Sequence, residues 1–113
     1  MIDMGKQAKQ VASALRLISN ENRLLILCGL IKGRMSVGEI SKTVPKIGQS
    51  ALSQNLAALK AHGVLDSEKI GQQVFYSIVD KRVIKIMEAL YECYCPKNKD
   101  KSIKSKLGGT YLG

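Results

Sequence analysis

The sequence predicts a single, mainly α-helical domain with one small β-hairpin, in the order α-α-α-α-β-β-α. The first observation behind this prediction is the length of 113 residues, which fits one domain. The second is the composition, since 45% of the residues are hydrophobic and 24% are charged, as in folded globular proteins. The third is the spacing of apolar residues, which is helical along most of the chain and alternates only near residue 70.

Apolar spacing and one capping residue predict the first two helices. A helix of about residues 5–18 has apolar positions at helical spacing, namely Ala8, Val11, Leu15 and Ile18. Asn20 can cap a second helix. This helix runs from Glu21 to about Lys32, and Gly33 ends it. Because it is very apolar, we expect it to lie in the core.

A short helix, a turn and a longer helix follow. Ser36 and Glu39 have the S-x-x-E spacing of a capping box, in which each side chain satisfies a backbone N–H group, so a short third helix is predicted to begin there. Pro45 disfavours helical backbone at the residue before it and indicates a turn. The fourth helix begins at Gln49 and is closed by Gly63 in a left-handed conformation.

The fourth helix has an outer face that is short, polar and uncharged. Its inner side carries Leu52, Leu56 and Leu59. Its outer side carries Ser50, Ser53, Gln54 and Ala57. A solvent-facing helix usually carries Glu and Lys, so we interpret this face as a contact surface for another molecule.

Two alternating segments, residues 64–69 and 73–79, predict an antiparallel hairpin around Ile70-Gly71-Gln72. Asp80 can cap a last helix of about residues 81–95. A short helix, a turn, a second helix with a small polar face and a hairpin together make a winged helix-turn-helix, a fold that reads duplex DNA through the major groove.

Charge points to the same partner. The chain has 18 basic and 9 acidic residues, giving +9 at pH 7, which favours duplex nucleic acid or an anionic membrane surface. Aromatic residues make up only 4%, too few for the stacking platform of a single-strand binder. No apolar stretch reaches the roughly 18–20 residues of a membrane span, and residues 1–10 lack a signal-peptide core. We therefore expect a cytoplasmic protein without membrane contact.

Seven residues are candidates for DNA contact. Short polar side chains at the start of the fourth helix can bond base edges, and lysines on the helix and hairpin can bind phosphates. These residues are Gln49, Ser50, Ser53, Gln54, Lys60, Lys69 and Gln72. Plain solvent exposure is the alternative explanation of the polar face, and the turn, the hairpin and the charge together favour DNA.

The stretch from Leu17 to Cys95 resembles the ArsR/SmtB family of bacterial winged-helix repressors. The segments that carry the resemblance are SNENRLLIL (19–27), QSALSQNL (49–56), GVL (63–65) and QVFYSI (73–78). The resemblance implies a homodimer built on the first and last helices, and repression that an inducer relieves.

The metal motifs of that family are missing. Many members carry Cys-Val-Cys on helix three, where this sequence has Ser36-Val37-Gly38, and Arg82 stands where helix five would carry its first metal-binding His. His62 is the single histidine, and a tetrahedral nitrogen and sulfur site needs four suitable ligands. We predict no metal and no other cofactor.

The resemblance extends to a BigR/SqrR-like dithiol branch of the family, which senses reactive sulfur species and oxidants. In that branch one cysteine follows Leu-Leu-x-Leu on helix two and another closes a Leu-Tyr-x-x-Tyr-Cys segment, as Cys28 and Cys95 do here. The resemblance implies that oxidation of this pair releases operator DNA. Cys93 leaves the last helix about 200° away from Cys95, and we expect it to be a bystander.

Three alternatives stay open. Cys28 also suits the core as a small apolar residue. The three thiols Cys28, Cys93 and Cys95 could hold a thiophilic ion such as As(III) or Cd(II), although two of them diverge on one helix. A basic module on membranes or RNA would leave the strands and the polar face unexplained. Enzymatic activity is not expected, because a single His provides no Ser/His/Asp or Cys/His arrangement and no Gly-rich loop precedes a helix.

Pro96 ends the last helical pattern and marks a change in composition. Beyond it, five lysines stand against a single aspartate. We therefore assign residues 1–95 to the DNA-binding and dimerisation domain and residues 96–113 to a basic, flexible tail.

Overall fold

The computed structural model describes residues 4–95, and the predicted basic tail lies outside them. The elements of this part are α1 (Met4–Ile18), α2 (Glu21–Leu30), β1 (Met35–Ser36), α3 (Val37–Thr43), α4 (Gln49–Ala61), β2 (Leu65–Ile70), β3 (Gln73–Ile78) and α5 (Lys81–Tyr94). The predicted fold class is confirmed, since helices dominate and a small antiparallel sheet follows α4. No helix among the described residues is long and apolar enough to cross a membrane.

The caps that the sequence predicted begin three of the helices. The N–H of Arg23 donates to Asn20 Oδ1 at 3.0 Å at the start of α2. At the start of α3 the capping box is complete, because the Glu39 N–H donates to Ser36 Oγ at 3.1 Å and the Ser36 N–H donates to Glu39 Oε1 at 2.8 Å. Asp80 caps α5. These bonds satisfy amides that have no partner within the helix, so they fix where each helix begins.

Within residues 4–95 the sheet has three strands, one more than the sequence predicted. β2 and β3 form the predicted hairpin, with Leu65 opposite Ile78 and Ile70 opposite Gln73. β1 pairs with the other edge of β3, so the strand order is β1-β3-β2. Two residues are too few to show an alternating pattern, which is why β1 has no signal in the sequence.

Two glycines with positive φ shape the region around the hairpin. Gly63 has φ +78° and ends α4 as predicted, and Gly71 has φ +64° in the turn between β2 and β3. Residues with a side chain rarely adopt such angles, whereas glycine does so at little cost. Gly71 occupies the first position of a two-residue turn, where hairpins favour glycine.

The core lies between α2, α4, α5 and the hairpin. Leu27 of α2 and Leu59 of α4 are fully inaccessible to solvent, and Val83 and Met87 of α5 are buried with them. The prediction that α2 lies in the core is therefore confirmed, although α2 ends at Leu30, two residues before the predicted end.

α1 leaves much of its predicted apolar face exposed. Ile18 is buried, but Val11 is 51% exposed and Leu15 is 46% exposed. Both side chains are large and apolar, and the rest of the described chain does not cover them. This face is therefore available to another molecule.

Candidate DNA-binding surface and thiol pair

α4 presents the polar face that the sequence predicted. Leu52, Leu56 and Leu59 point inward and are at most 2% exposed. Gln49, Ser50, Ser53 and Gln54 are exposed on the other side. Because these four side chains are short or uncharged, α4 can approach base edges closely and exchange hydrogen bonds with them.

Lys60, Lys69 and Gln72 extend the predicted surface onto the hairpin. Lys60, near the end of α4, donates a 2.7 Å hydrogen bond from Nζ to Ser67 Oγ on β2. Lys69 is exposed near the end of β2, and Gln72 is exposed in the turn. Since α4 packs against β2, the seven predicted residues lie on α4 and on the adjacent hairpin, and Lys60 places a positive charge where the two meet.

A side chain that the sequence did not single out anchors the hairpin. Arg34, between α2 and β1, places its guanidinium carbon 5.2 Å from the centre of the Phe75 ring on β3. Its Nη1 atom lies 3.3 Å from Glu68 Oε1 on β2. The ion pair is exposed and contributes little energy, but together the two contacts orient the hairpin relative to the end of α2.

A second unpredicted contact joins α2 to α4. Arg23 Nε donates to Asn55 Oδ1 at 2.8 Å, and Arg23 Nη1 donates to the Leu17 carbonyl at 2.8 Å. Asn55 Nδ2 in turn donates to the Ala51 carbonyl at 2.9 Å. Arg23 and Asn55 are 32 positions apart, so local spacing cannot reveal the pair, although both belong to segments that carry the family resemblance.

Cys28 lies on α2 and Cys95 lies at the end of α5, and these two helices pack against each other. Cys28 is half-buried on α2 and contacts the core, and Cys95 is half-buried at the C-terminal cap of α5. Burial, and then the charge of Cys95, raise the pKa of the Cys28 thiol, whereas Lys32 lowers it. Cys93 is exposed.

The cysteines do not form a three-thiolate cluster. In residues 4–95, no three of the His, Cys, Asp and Glu side chains come together as a possible metal site. His62 caps the C-terminal end of α4, and its Nδ1 atom lies 2.9 Å from the Ala58 carbonyl oxygen. The ring of His62 thus takes part in the local geometry of the helix end.

Comparison with known proteins identifies regulators of transcription. The sequence model of the HxlR-like helix-turn-helix family matches residues 17–99. The biofilm growth-associated repressor of Xylella fastidiosa is 35% identical over 97 residues, which cover 86% of this chain and 84% of that protein. The transcriptional activator HlyU of Vibrio cholerae is 38% identical over 96 residues, which cover 85% of this chain and 88% of that protein. The relatives are regulators rather than enzymes, as predicted.

Solved structures share the fold. Reduced HlyU from Vibrio cholerae superposes with a TM-score of 0.77 at 39% identity, over 81% of this chain and 96% of that chain. The repressor BigR from Xylella fastidiosa superposes with a TM-score of 0.76 at 35% identity, over 82% of this chain and 94% of that chain. The family whose model matches is the HxlR-like one, and the ArsR/SmtB membership indicated by the motifs stays a prediction.

Proposed function

The chain belongs to the HxlR-like helix-turn-helix family and is a DNA-binding transcriptional regulator, and from this premise we propose that it is a dimeric repressor that releases its operator when Cys28 and Cys95 are oxidised. The proposed inducer is a persulfide, a polysulfide or another two-electron oxidant, as in the dithiol branch of the ArsR/SmtB family. One relative is named a repressor, and another was solved in its reduced form; both facts support the proposal. The proposed site of action is the cytoplasm, where operator DNA lies.

The observation that carries the proposal is the placement of Cys28 on α2 and Cys95 at the C-terminal cap of α5. α2 packs against α3, the first helix of the helix-turn-helix, and contacts the recognition helix α4 through the bond between Arg23 and Asn55. A covalent bond between the two cysteines links α5 to the helix that supports the DNA-binding motif. A difference of about 1–3 kcal/mol in DNA-binding free energy between the reduced and the oxidised protein changes the affinity for the operator by about 5–150-fold.

The proposed oxidation balances with a polysulfide as the oxidant. One cysteine thiolate attacks the terminal sulfur of the polysulfide, which forms a cysteine persulfide and releases a polysulfide shorter by one sulfur. The other thiolate then attacks the inner sulfur of that persulfide and releases hydrosulfide. The two cysteines lose two electrons in forming the disulfide, and the polysulfide gains them.

The proposed dimer is built on α1 and α5. Val11 and Leu15 leave an apolar strip on α1, and Tyr94 on α5 is 81% exposed. A two-fold dimer buries the same patch from both copies and matches a palindromic operator. Light scattering at micromolar concentration should show a dimer, and Leu15→Lys should shift it toward monomer, whereas the control Ser13→Lys on another side of α1 should not. A monomeric wild-type protein contradicts this part of the proposal.

DNA recognition is tested by selecting duplexes from a random library with the reduced protein. We expect a near-palindrome whose half-sites lie about one helical turn apart. Ser53→Ala and Gln54→Ala should lose discrimination between the selected duplex and a scrambled one, while binding to any duplex at low salt persists. Gln10→Ala and Ser13→Ala, at exposed positions of α1, are the matched controls. Equal loss on both duplexes would mean that the α4 side chains only support the fold.

The thiol assignment is tested with single Cys→Ser variants. After polysulfide treatment, wild type and Cys93→Ser should release the selected duplex, and mass spectrometry should show an intramolecular Cys28–Cys95 bond. Cys28→Ser and Cys95→Ser should stay bound to DNA. Parallel treatment with As(III) or Cd(II) separates the metal alternative, which gains support if all three thiols are required and a metal ion causes release.

A further inference from the structure

Arg23 joins three helices through one side chain. It is part of α2, its Nη1 atom binds the Leu17 carbonyl near the end of α1, and its Nε atom binds Asn55 on the recognition helix. None of the ion pairs within residues 4–95 involves Arg23. A half-buried guanidinium without a carboxylate partner needs such oxygen acceptors, because burying a charge without hydrogen bonds is costly.

We propose that Arg23 is a positioning residue that sets, through Asn55, the angle at which α4 presents Ser53 and Gln54 to the bases. The role rests on the proposed DNA-binding function of that face. It would make sequence discrimination depend on a residue that itself contacts no DNA base.

The acceptor from α1 explains why an arginine suits this position. The last carbonyls of a helix have no partner within the helix, and the C-terminal end of the helix carries partial negative charge. Arg23 satisfies one of these carbonyls, that of Leu17, with one nitrogen while another nitrogen reaches Asn55. A planar guanidinium can bind two separate acceptors at fixed angles, which a lysine cannot do.

The contact with Asn55 restrains rotation of α4 about its own axis. The buried leucines on the inner side of α4 hold the helix against the core, but apolar contacts are not directional, whereas hydrogen bonds are. Both ends of the Asn55 amide are engaged, Oδ1 by Arg23 and Nδ2 by the Ala51 carbonyl. Rotation of α4 therefore has to break the bond to Arg23.

A small rotation is enough to change base recognition. Side-chain ends lie about 5 Å from a helix axis, so a 10° rotation moves them by roughly 1 Å. Asn55 directly follows Gln54, so the restraint acts next to the base-facing side chains. Hydrogen bonds to base edges tolerate only a few tenths of an ångström, whereas attraction to phosphates is less sensitive to geometry. Loss of the contact should therefore reduce discrimination more than overall affinity.

The test compares dissociation constants for the duplex selected by the wild-type protein and for a scrambled duplex at one salt concentration. Arg23→Gln and Asn55→Ala should each narrow the ratio of the two constants about tenfold, the loss expected for one charge-assisted hydrogen bond. The double variant should narrow the ratio no further, because both changes break the same contact.

A charge-matched control separates this role from simple electrostatics. Arg82→Gln removes the same charge from an exposed side chain on α5 and should weaken binding to both duplexes alike, leaving the ratio unchanged. Circular dichroism at the assay temperature checks that each variant is folded. If Arg23→Gln does not fold, Arg23→Lys keeps the charge without the two-acceptor geometry and should also narrow the ratio.

The outcomes separate this role from the proposed function. The role of Arg23 is overturned, while DNA recognition stands, if Arg23→Gln and Asn55→Ala each keep the wild-type ratio. It is also overturned if the double variant narrows the ratio by the product of the two single losses. A wild-type protein that selects no duplex at all overturns the proposed function and this role together.

Discussion

A bond between Cys28 and Cys95 should stabilise the fold by a measurable amount. It closes a loop of about 70 residues, and the lost chain entropy of the unfolded state corresponds to about 4 kcal/mol at 25 °C. For a domain of this size, 1 kcal/mol shifts the unfolding midpoint by about 4–8 °C, so the upper limit is a rise of roughly 15–30 °C. Strain in the oxidised fold, which the proposed release of DNA requires, subtracts from that limit.

Thermal unfolding followed by circular dichroism measures the effect. Polysulfide-treated and dithiothreitol-reduced samples are compared at one protein concentration, because the midpoint of a dimer depends on concentration. Wild type and Cys93→Ser should unfold at a higher temperature after oxidation. Cys95→Ser should show no rise, since it keeps Cys28 but cannot close the loop.

Two results would refute this reasoning. The first is an unfolding midpoint that stays unchanged or falls although mass spectrometry maps an intramolecular Cys28–Cys95 bond. This result would show that strain in the packing of α2 against α5 cancels the whole entropic stabilisation. An equal rise in Cys95→Ser would show that the stabilisation has another origin, such as modification of a single thiol.

Three further results are expected. Gly71→Ala should destabilise the protein by about 1–2 kcal/mol in urea unfolding, because an alanine at φ +64° is strained, whereas Gly38→Ala should not destabilise it, because Gly38 lies within α3 without a positive φ and an added Cβ would meet only Ser36 Oγ at 3.9 Å; equal effects would contradict this account of the turn. Lys69→Gln should reduce the slope of log affinity against log salt by about 0.9 per protomer if Lys69 binds a phosphate, and an unchanged slope would remove that assignment. Alkylation of Cys28, followed by mass spectrometry against pH, should have its inflection at a higher pH than alkylation of an ordinary thiol, since burial and Cys95 both raise the pKa of Cys28; Cys95→Ser should move the inflection to lower pH, and a shift in the other direction would contradict the assigned cause.

Local signals made most of the fold predictable. The caps at Asn20, Ser36 and Asp80 act on amides two or three residues away, so a short stretch of sequence contains both partners. Helical periodicity likewise separates the inner leucines of α4 from its polar face within a few turns. Elements whose determinants lie this close together can be placed from sequence, and the structure places them within about two residues.

The missed features depend on partners that are distant in the chain. β1 exists because Met35 and Ser36 meet Tyr76 and Phe75, and two residues alone have no recognisable strand pattern. Arg34 meets Glu68 across the sheet, 34 positions away. Neither contact has a signature in composition or periodicity, because the partners of each are far apart in the sequence.

α2 shows how one helix can serve the core, the recognition helix and the thiol pair. Its apolar residues predicted only burial, yet Arg23 and Cys28 lie at its half-buried edges, roughly 8 Å apart along a rigid helix. A displacement of α2 at the thiol end is therefore carried to the end that holds α4. The two proposed roles remain separable, since Cys95→Ser should abolish oxidant-induced release while keeping discrimination, and Arg23→Gln should narrow discrimination while the Cys28–Cys95 bond still forms. If one variant lost both properties while it stayed folded, α2 would be acting only as a structural support.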